Sequence, residues 1–534
     1  MADEKVELKD VNFRQLFPWT ALFDGFRVAL DPKKLLLAAG GILVMSIGWQ
    51  LLGWAFYTSR IEPSWASGDY GERTEANWDK FKTDRDKWNL LHEAAGNQEK
   101  FFEADDLAQT MDEYDQIKKE LQEGTRPRQL KPYGKMRTWP FFEDRGANPY
   151  LLVTGRADAW EKGRFWDWLV SKELPVLVEP LVKFFRPVIF LLHGKAGFWN
   201  YIYFLLVLLW TLATWAYFGG AITRMAAVQV ARKEKISLPE ALRFTRSHLL
   251  SYFSAPLIPL AGILIFCIGL LIFGLLHNLI PVVGDIVVDG LGWPLVLLAG
   301  LIMAVILVGL IGWPMMYATI SVEGSDSFDA LSRSYSYVLS NPWHYLWYSL
   351  VALAYGAVVV FFVGFMGSLT VNLGKWGVSL ADIRSDRDPA YLCVYAPTSF
   401  GWRDLLLAGG NEVVTASGAP VHPDEWHWYN NVGAVMVAFW LYLVFSMVVG
   451  FGYSYFWSAS TIIYLLMRRK VDDTEMDEVY VEEDEGEEAY SMPITTSPTA
   501  APAASGGSTP LSMVEAPPSG PSGAPSGSGN PPPT

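Results

Sequence analysis

Six segments of this chain run apolar for about 20 residues or more, enough to cross a bilayer as helices and too long for barrel strands. The first, 35–57, holds 23 residues without a charge. The others are 201–222, 255–277, 294–317, 343–367 and a long one from about 432 to 467, which must tilt or protrude. The fold this predicts is all-α: a polytopic integral membrane protein of about six transmembrane helices. It carries interfacial amphipathic helices, a helical extracytoplasmic insertion and a disordered C-terminal tail.

Part of this plan is duplicated. Residues 199–367 contain a span, a capped amphipathic helix and a second span twice over. Ser237-Leu238-Pro239-Glu240-Ala241-Leu242 aligns without gaps over Asp326-Ser327-Phe328-Asp329-Ala330-Leu331, and Ser247-His248-Leu249-Leu250-Ser251 over Ser336-Tyr337-Val338-Leu339-Ser340. Each linking helix opens on an N-cap oxygen with a carboxylate three residues on, a capping box or its Asp variant.

The organisation follows. Residues 1–34 contain an amphipathic stretch, Phe17–Leu30, read as a helix lying in the headgroup region. After span 1, residues 58–198 form a polar insertion. In it Trp78, Phe81, Trp88 and Leu91, then Leu107, Met111, Tyr114, Ile117 and Leu121, recur at helical spacing, predicting a hairpin. Residues 174–192 carry Glu179, Lys183 and Arg186 near their middle, each costing about 2.5–3.5 kcal/mol to insert, so an interfacial helix is expected there. The duplicated domain occupies 199–367, a second polar insertion 368–428, and span 6 residues 429–470. The tail, 471–534, has eleven acids in its first twenty residues and is Pro/Ser/Gly-rich beyond, compositions that predict disorder.

Charge sets orientation. Residues 223–248 carry Arg224, Arg232, Lys233, Lys235, Arg243 and Arg246, the 278–293 loop carries no base, Lys33-Lys34 precedes span 1 and Arg468-Arg469-Lys470 closes span 6. The positive-inside rule then puts both termini in the cytoplasm and both insertions outside, in a membrane read as the bacterial inner membrane. The formal net charge of −14 belongs to the tail: residues 471–534 hold twelve acids and no base, leaving 42 bases and 44 acids elsewhere, with no basic surface for nucleic acid. The first 30 residues have no early apolar core or cleavage site, so span 1 is expected to act as signal anchor. Two cysteines, Cys267 in a span and Cys393 in a polar loop, are too few for a thiol–metal site and are not expected to pair.

No phosphate loop, nucleophile elbow or H-E-x-x-H helix occurs, so the expected function is non-enzymatic, without cofactor. His422, Asp424, Glu425 and His427 are residue types that suit zinc, but Pro423 breaks i, i+4 geometry and no third histidine is near, so a polar approach to span 6 is favoured. The spans are nearly free of charge, and Gln50, Thr211 and Thr214 read as interhelical hydrogen bonders. The six bases of 223–248 are candidate contacts for anionic lipid headgroups, at about 1 kcal/mol each. Trp78, Phe81, Trp88, Leu107, Met111 and Tyr114 form a candidate surface for a protein partner or a second copy, because a two-helix hairpin cannot bury all of that apolar area.

The run Asp329-Ala330-Leu331, then Leu339-Ser340-Asn341-Pro342-Trp343 and Tyr345-Leu346, resembles uncharacterised bacterial membrane domains in which span–amphipathic helix–span units repeat. One such domain accompanies some glycerophosphodiester phosphodiesterases. The likeness covers residues 199–367 and includes no catalytic residue, so it implies a membrane domain and no phosphodiesterase chemistry. The stretch Asp144-Arg145-Gly146-Ala147-Asn148-Pro149-Tyr150-Leu151-Leu152-Val153 and the acidic, Pro/Ser-rich tail resemble uncharacterised planctomycete-type membrane proteins. The expected role is membrane organisation or assembly with a partner protein; the alternative is a permease or lipid-handling transporter.

Overall fold

A computed structural model describes residues 17–57, 63–94, 104–108, 110–123, 148–154, 166, 169, 173–192, 198–279, 284–379, 392–393, 395–397, 402–406 and 428–481. Among these there is no strand, and six helices are long and apolar enough to cross a membrane. The chain is an all-α polytopic membrane protein.

Span 1 is α2 (Pro32–Tyr57), preceded by a 3-10 turn, Pro18–Phe23, and the short α1 (Asp24–Ala29). The N-terminal stretch packs onto the last span: Gly25 lies against Tyr455 and Ile462, and Ser454 Oγ donates to Ala29 O at 2.7 Å. Leu22 and Val28 are buried, while Phe23 and Leu30 stay exposed.

The outer hairpin is α3 (Glu75–Ala94) followed by α4 (Ala104–Leu107) and α5 (Met111–Glu123). Further on come α6 (Pro149–Val153), α7 (Leu174–Leu177) and α8 (Glu179–Leu192). Asn148 caps α6, accepting from Tyr150 N at 2.8 Å, and its Nδ2 donates to Ser368 Oγ at 2.9 Å, tying α6 to span 5.

Span 2 is α9 (Phe198–Ala231), whose 34 residues extend for about 50 Å, more than a bilayer core needs. The first linking helix is α10 (Leu238–Ser247), with α11 (Leu249–Ser254) and α12 (Leu257–Leu279) following. A π-helical turn, Gly284–Leu291, leads into α13 (Gly292–Leu310). Span 4 was expected to run unbroken to residue 317. It stops at Leu310 and restarts as α14 (Trp313–Glu323), because Pro314 has no N–H to donate and takes a first-turn position. The second linking helix is α15 (Ser327–Ser340), followed by α16 (Pro342–Ser379), α17 (Trp402–Leu406) and α18 (Trp428–Asp472).

The duplication is visible in three dimensions. Ser237 Oγ accepts from Glu240 N at 3.3 Å and Glu240 Oε2 accepts from Ser237 N at 3.3 Å, a complete capping box. In the second unit Asp326 Oδ1 accepts from Asp329 N at 2.9 Å. Ala241 and Ala330 are both fully buried, as are Thr245 and Ser334. The same offset pairs Gly220 with Gly309. A Cβ on Gly220 would come within 2.9 Å of Thr245 Cγ2, and one on Gly309 within 2.2 Å of the Tyr335 ring. Each span thus needs a glycine where its linking helix lies against it.

The core is aromatic. The Trp215 ring stacks on Tyr453 at 4.8 Å and Tyr317 on Trp457 at 5.0 Å, with Trp313 edge-on to both Tyr317 and Trp457. Phe184 of α8 closes this group against Trp313 at 4.8 Å. These five rings of Trp215, Trp313, Tyr317, Tyr453 and Trp457 come from α9, α14 and α18 and are fully buried. By contrast α12 and α13 form a hairpin on the side of the bundle, exposing Ile265, Leu271, Leu297 and Leu301 as hydrocarbon-facing helices do.

Candidate functional site

The short basic segments gather at one end of the bundle, here the basic end. Lys33 Nζ donates to Ile236 O at 3.4 Å, Lys235 pairs with Asp31 at 3.4 Å, and Lys34 Nζ donates to Val28 O at 2.8 Å and Gln229 Oε1 at 2.7 Å. Lys34 is fully buried, and sequence reasoning counted it only as a topology signal.

Of the six candidate headgroup contacts, Arg232, Lys233, Lys235, Arg243 and Arg246 are exposed at this end. Arg224 is a correction. The helix does not end near Ile222 but continues to Ala231, carrying Arg224 into the bundle, where it is buried. Its Nη1 donates to Ser321 O at 2.8 Å, and the guanidinium lies 4.0 Å from the Phe244 ring centre. Around the same Ser321, the hydroxyls of Thr223 (2.6 Å) and Tyr252 (2.8 Å) meet its Oγ. This polar knot joins α9, α11 and α14, at the junction of the two repeats.

A second knot is ionic. Arg333 pairs with Glu323 at 2.9 Å and with Asp329 at 3.1 Å. Glu323 also accepts from the Tyr464 hydroxyl and lies 3.7 Å from Arg468. Burial works against the Arg333 charge, but Asp329 and Glu323 more than offset it and hold its pKa well above the ordinary value. Arg468 then reaches past the end of α18: Nη1 donates to Glu478 O at 2.9 Å and Nη2 to its carboxylate at 3.3 Å. Tyr480 N donates to Val322 O at 2.8 Å. The ring of Tyr480 covers Gly324, which sits in the left-handed region at φ 65°, leaving no room for a Cβ. The tail expected to be disordered from residue 471 therefore begins with a folded strap, 473–481, pinned to the second repeat. Burial, and a hydrogen bond to Asp472, push the Tyr337 phenol above its ordinary range beside it.

The third feature is a buried charge pair outside the spans. Helix α8 is not among the six spans, as its charges predict, and it packs against span 2 with Glu179 and Lys183 buried and ion-paired at 2.5 Å across one helical turn. The Tyr453 hydroxyl donates to Glu179 Oε1 at 2.7 Å, and Lys183 Nζ lies 5.6 Å from the Trp49 ring and 5.7 Å from the Tyr453 ring. Thr211, one of the expected interhelical bonders, accepts from Trp49 Nε1 at 3.0 Å, whereas Thr214 bonds back to its own helix at Trp210 O.

The candidate partner surface on the outer hairpin is also corrected. Trp78, Phe81 and Tyr114 are buried in a small core of their own, with Met111 packed against it. The element that closes it is Trp65, which precedes the hairpin and lies 5.1 Å from Trp78 and 5.5 Å from Phe81. Asp105 holds Trp65 in place by accepting from its backbone N at 2.8 Å. Trp88 is half-buried, and the Leu107 side chain lies outside the described residues. So do His422, Asp424, Glu425 and His427; among the described residues no three His, Cys, Asp or Glu side chains group as metal ligands.

The architecture and these knots define a polytopic helical membrane protein with a duplicated, polar-knotted bundle. Comparison of the chain with known protein families, with characterised proteins and with solved structures gives no match.

Proposed function

We propose that this chain is a non-enzymatic membrane protein that organises an assembly in the bacterial inner membrane, with its basic end in the cytoplasm. The observation that supports this is the filled interior. At the centre of the bundle, where a permease needs a path, five fully buried Trp and Tyr rings pack against one another, two pairs stacked and Trp313 edge-on. Buried ionic groups such as Glu179, Lys183 and Arg224 are engaged within the chain. A bundle packed with aromatic rings at its centre and a separately cored outer domain suits a scaffold.

The test is purification in mild detergent followed by native mass spectrometry. Stoichiometric protein partners, or a defined homo-oligomer, are the expected outcome. A monomer carrying lipid alone would sink the scaffold reading. The rival reading, a permease or lipid-handling transporter, is favoured by one feature: an acid–base pair buried against the spans, the kind of group that marks proton paths when it lies within the membrane. Proteoliposomes carrying out proton-coupled flux that Glu179→Gln abolishes would replace the scaffold with that rival.

A further inference from the structure

The basic end contains a cleft of about 790 Å³, within the range of small-ligand sites, that the functional reading above does not use. Its bases come from three elements: Arg27 of α1, Lys233 and Lys235 of the loop after α9, and Arg469 at the end of α18. Three of its acids, Asp473, Glu475 and Asp477, all come from the folded strap. Among the described residues no ion pair joins these two sets, although they share one cavity.

A second observation falls on the same place. Among the described residues, two that are not glycine adopt positive φ: Lys233 at 59° and Asp473 at 53°. Both line this cleft, one from each charge set. Asp is enriched in the left-handed region, but Lys there is uncommon, and such residues concentrate at ligand sites. The cleft also has an apolar lining, with Pro18, Ala21, Val230 and Met476.

We propose that this cleft binds a ligand bearing both a phosphate and a primary ammonium, the headgroup chemistry of a phosphatidylethanolamine-type lipid. The phosphate would face Arg27, Lys233, Lys235 and Arg469, and the ammonium the strap carboxylates. A purely anionic ligand would gain the first set of contacts and be repelled by the second. A choline headgroup would find the same charges but could not donate hydrogen bonds to the carboxylates. The apolar lining beside the ends of the spans favours a lipid over a soluble phosphate ester. This goes beyond the scaffold reading and does not depend on it.

The experiment uses the full chain in detergent, with native mass spectrometry of added short-chain phosphatidylethanolamine, phosphatidylglycerol and phosphatidylcholine, and soluble phosphoethanolamine as competitor. Phosphatidylethanolamine should bind at least about fivefold more tightly than either other lipid, the factor one interfacial charge supplies. The triple variant Asp473→Asn, Glu475→Gln, Asp477→Asn should lose that preference in favour of phosphatidylglycerol. Lys233→Gly removes a cation but relieves the backbone, so it should weaken phosphatidylethanolamine about fivefold without lowering the thermal midpoint. Should the triple variant not fold, Lys233→Asn, which keeps a left-handed-tolerant residue, tests the basic set alone. Phosphatidylglycerol binding as tightly as phosphatidylethanolamine to the unmodified chain, or an unchanged ratio in the triple variant, overturns the proposal. Displacement of the lipid by equimolar phosphoethanolamine would keep the bipolar site but overturn its assignment to a lipid.

Discussion

The buried Glu179–Lys183 pair gives the sharpest energetic test. Neutralising one partner leaves the other charge in a place water does not reach, which costs about 3–5 kcal/mol in a protein interior. The two substitutions are not equivalent. In Glu179→Gln the lysine keeps the faces of Trp49 and Tyr453, each worth about 0.5–1 kcal/mol, so the expected loss is about 2–3 kcal/mol. In Lys183→Met the carboxylate keeps the Tyr453 hydroxyl, at 2.7 Å, but loses its cation, and the expected loss is about 3–4 kcal/mol. The double variant Glu179→Gln, Lys183→Met removes both charges and retains most of the volume. It should return to within about 1 kcal/mol of the parent, because a buried pair often contributes little over an apolar replacement.

The assay is denaturation of the purified protein in detergent, followed by tryptophan fluorescence, for the parent, both single variants and the double variant. The apparent midpoints are compared as a cycle, since coupling and not absolute stability is the quantity sought. Two single variants each near the parent, with a double variant equal to their sum, would mean that the charges are solvated. Helix α8 would then lie at the interface, as its sequence suggests.

Other expectations are independent of that pair. Arg224→Met should lower stability by about 2–3 kcal/mol through loss of a charged hydrogen bond, whereas Arg243→Gln and Arg246→Gln, both exposed, should stay within about 0.5 kcal/mol, measured by the same denaturation. Truncation after Lys470 should lower the midpoint by removing the strap contacts of Arg468 and Tyr480, and truncation after Val481 should not; equal midpoints would mean the strap does not hold the second repeat. Phe81→Ala should cost the outer hairpin about 3–5 kcal/mol, seen as rapid proteolysis of residues 63–123 with the spans still protected. Cys393 should react with a membrane-impermeant maleimide in intact cells and Cys267 should not, and labelling of Cys393 only after lysis would invert the proposed topology.

The spans, the duplication and both helix caps were legible because each rests on a local pattern: apolar length, or an oxygen three residues before a carboxylate. What was misread depends on pairing, which composition hides. The three charges of α8 each carry a full insertion cost when taken singly, but Glu179 and Lys183 stand one turn apart and neutralise each other. The i, i+4 spacing was the available signal. Arg224 falls in a loop if a charge ends the span. The residues after it, Met225-Ala226-Ala227-Val228, continue small and apolar and argue for a buried helix. In the tail, the density of acid hid Met476, Val479 and Tyr480, the side chains with which the strap packs on the bundle. Trp65 was missed because a lone aromatic before a helix has no periodicity to mark it.

The two repeats solve one packing problem with different chemistry, and that difference bears on what the bundle does. In the first unit the cation, Arg224, comes from the span and lies over Phe244 of the linking helix. The position aligned with Phe244 in the second unit is Arg333, so there the cation comes from the linking helix and the span end answers with Glu323. The first unit's arginine ends on Ser321 of the second span, only two residues from Glu323. The polar and ionic knots are thus adjacent on α14, and the second continues through Arg468 to the strap. A displacement of the strap would first disturb Arg468, then Glu323, and through α14 the junction of both repeats. A solute path would lie across the Trp and Tyr stack, whereas this chain of contacts runs along the basic end, where partners or headgroups would dock. On the proposed reading, this chain of contacts would hold a docking surface in place, and that is what supports assembly over transport.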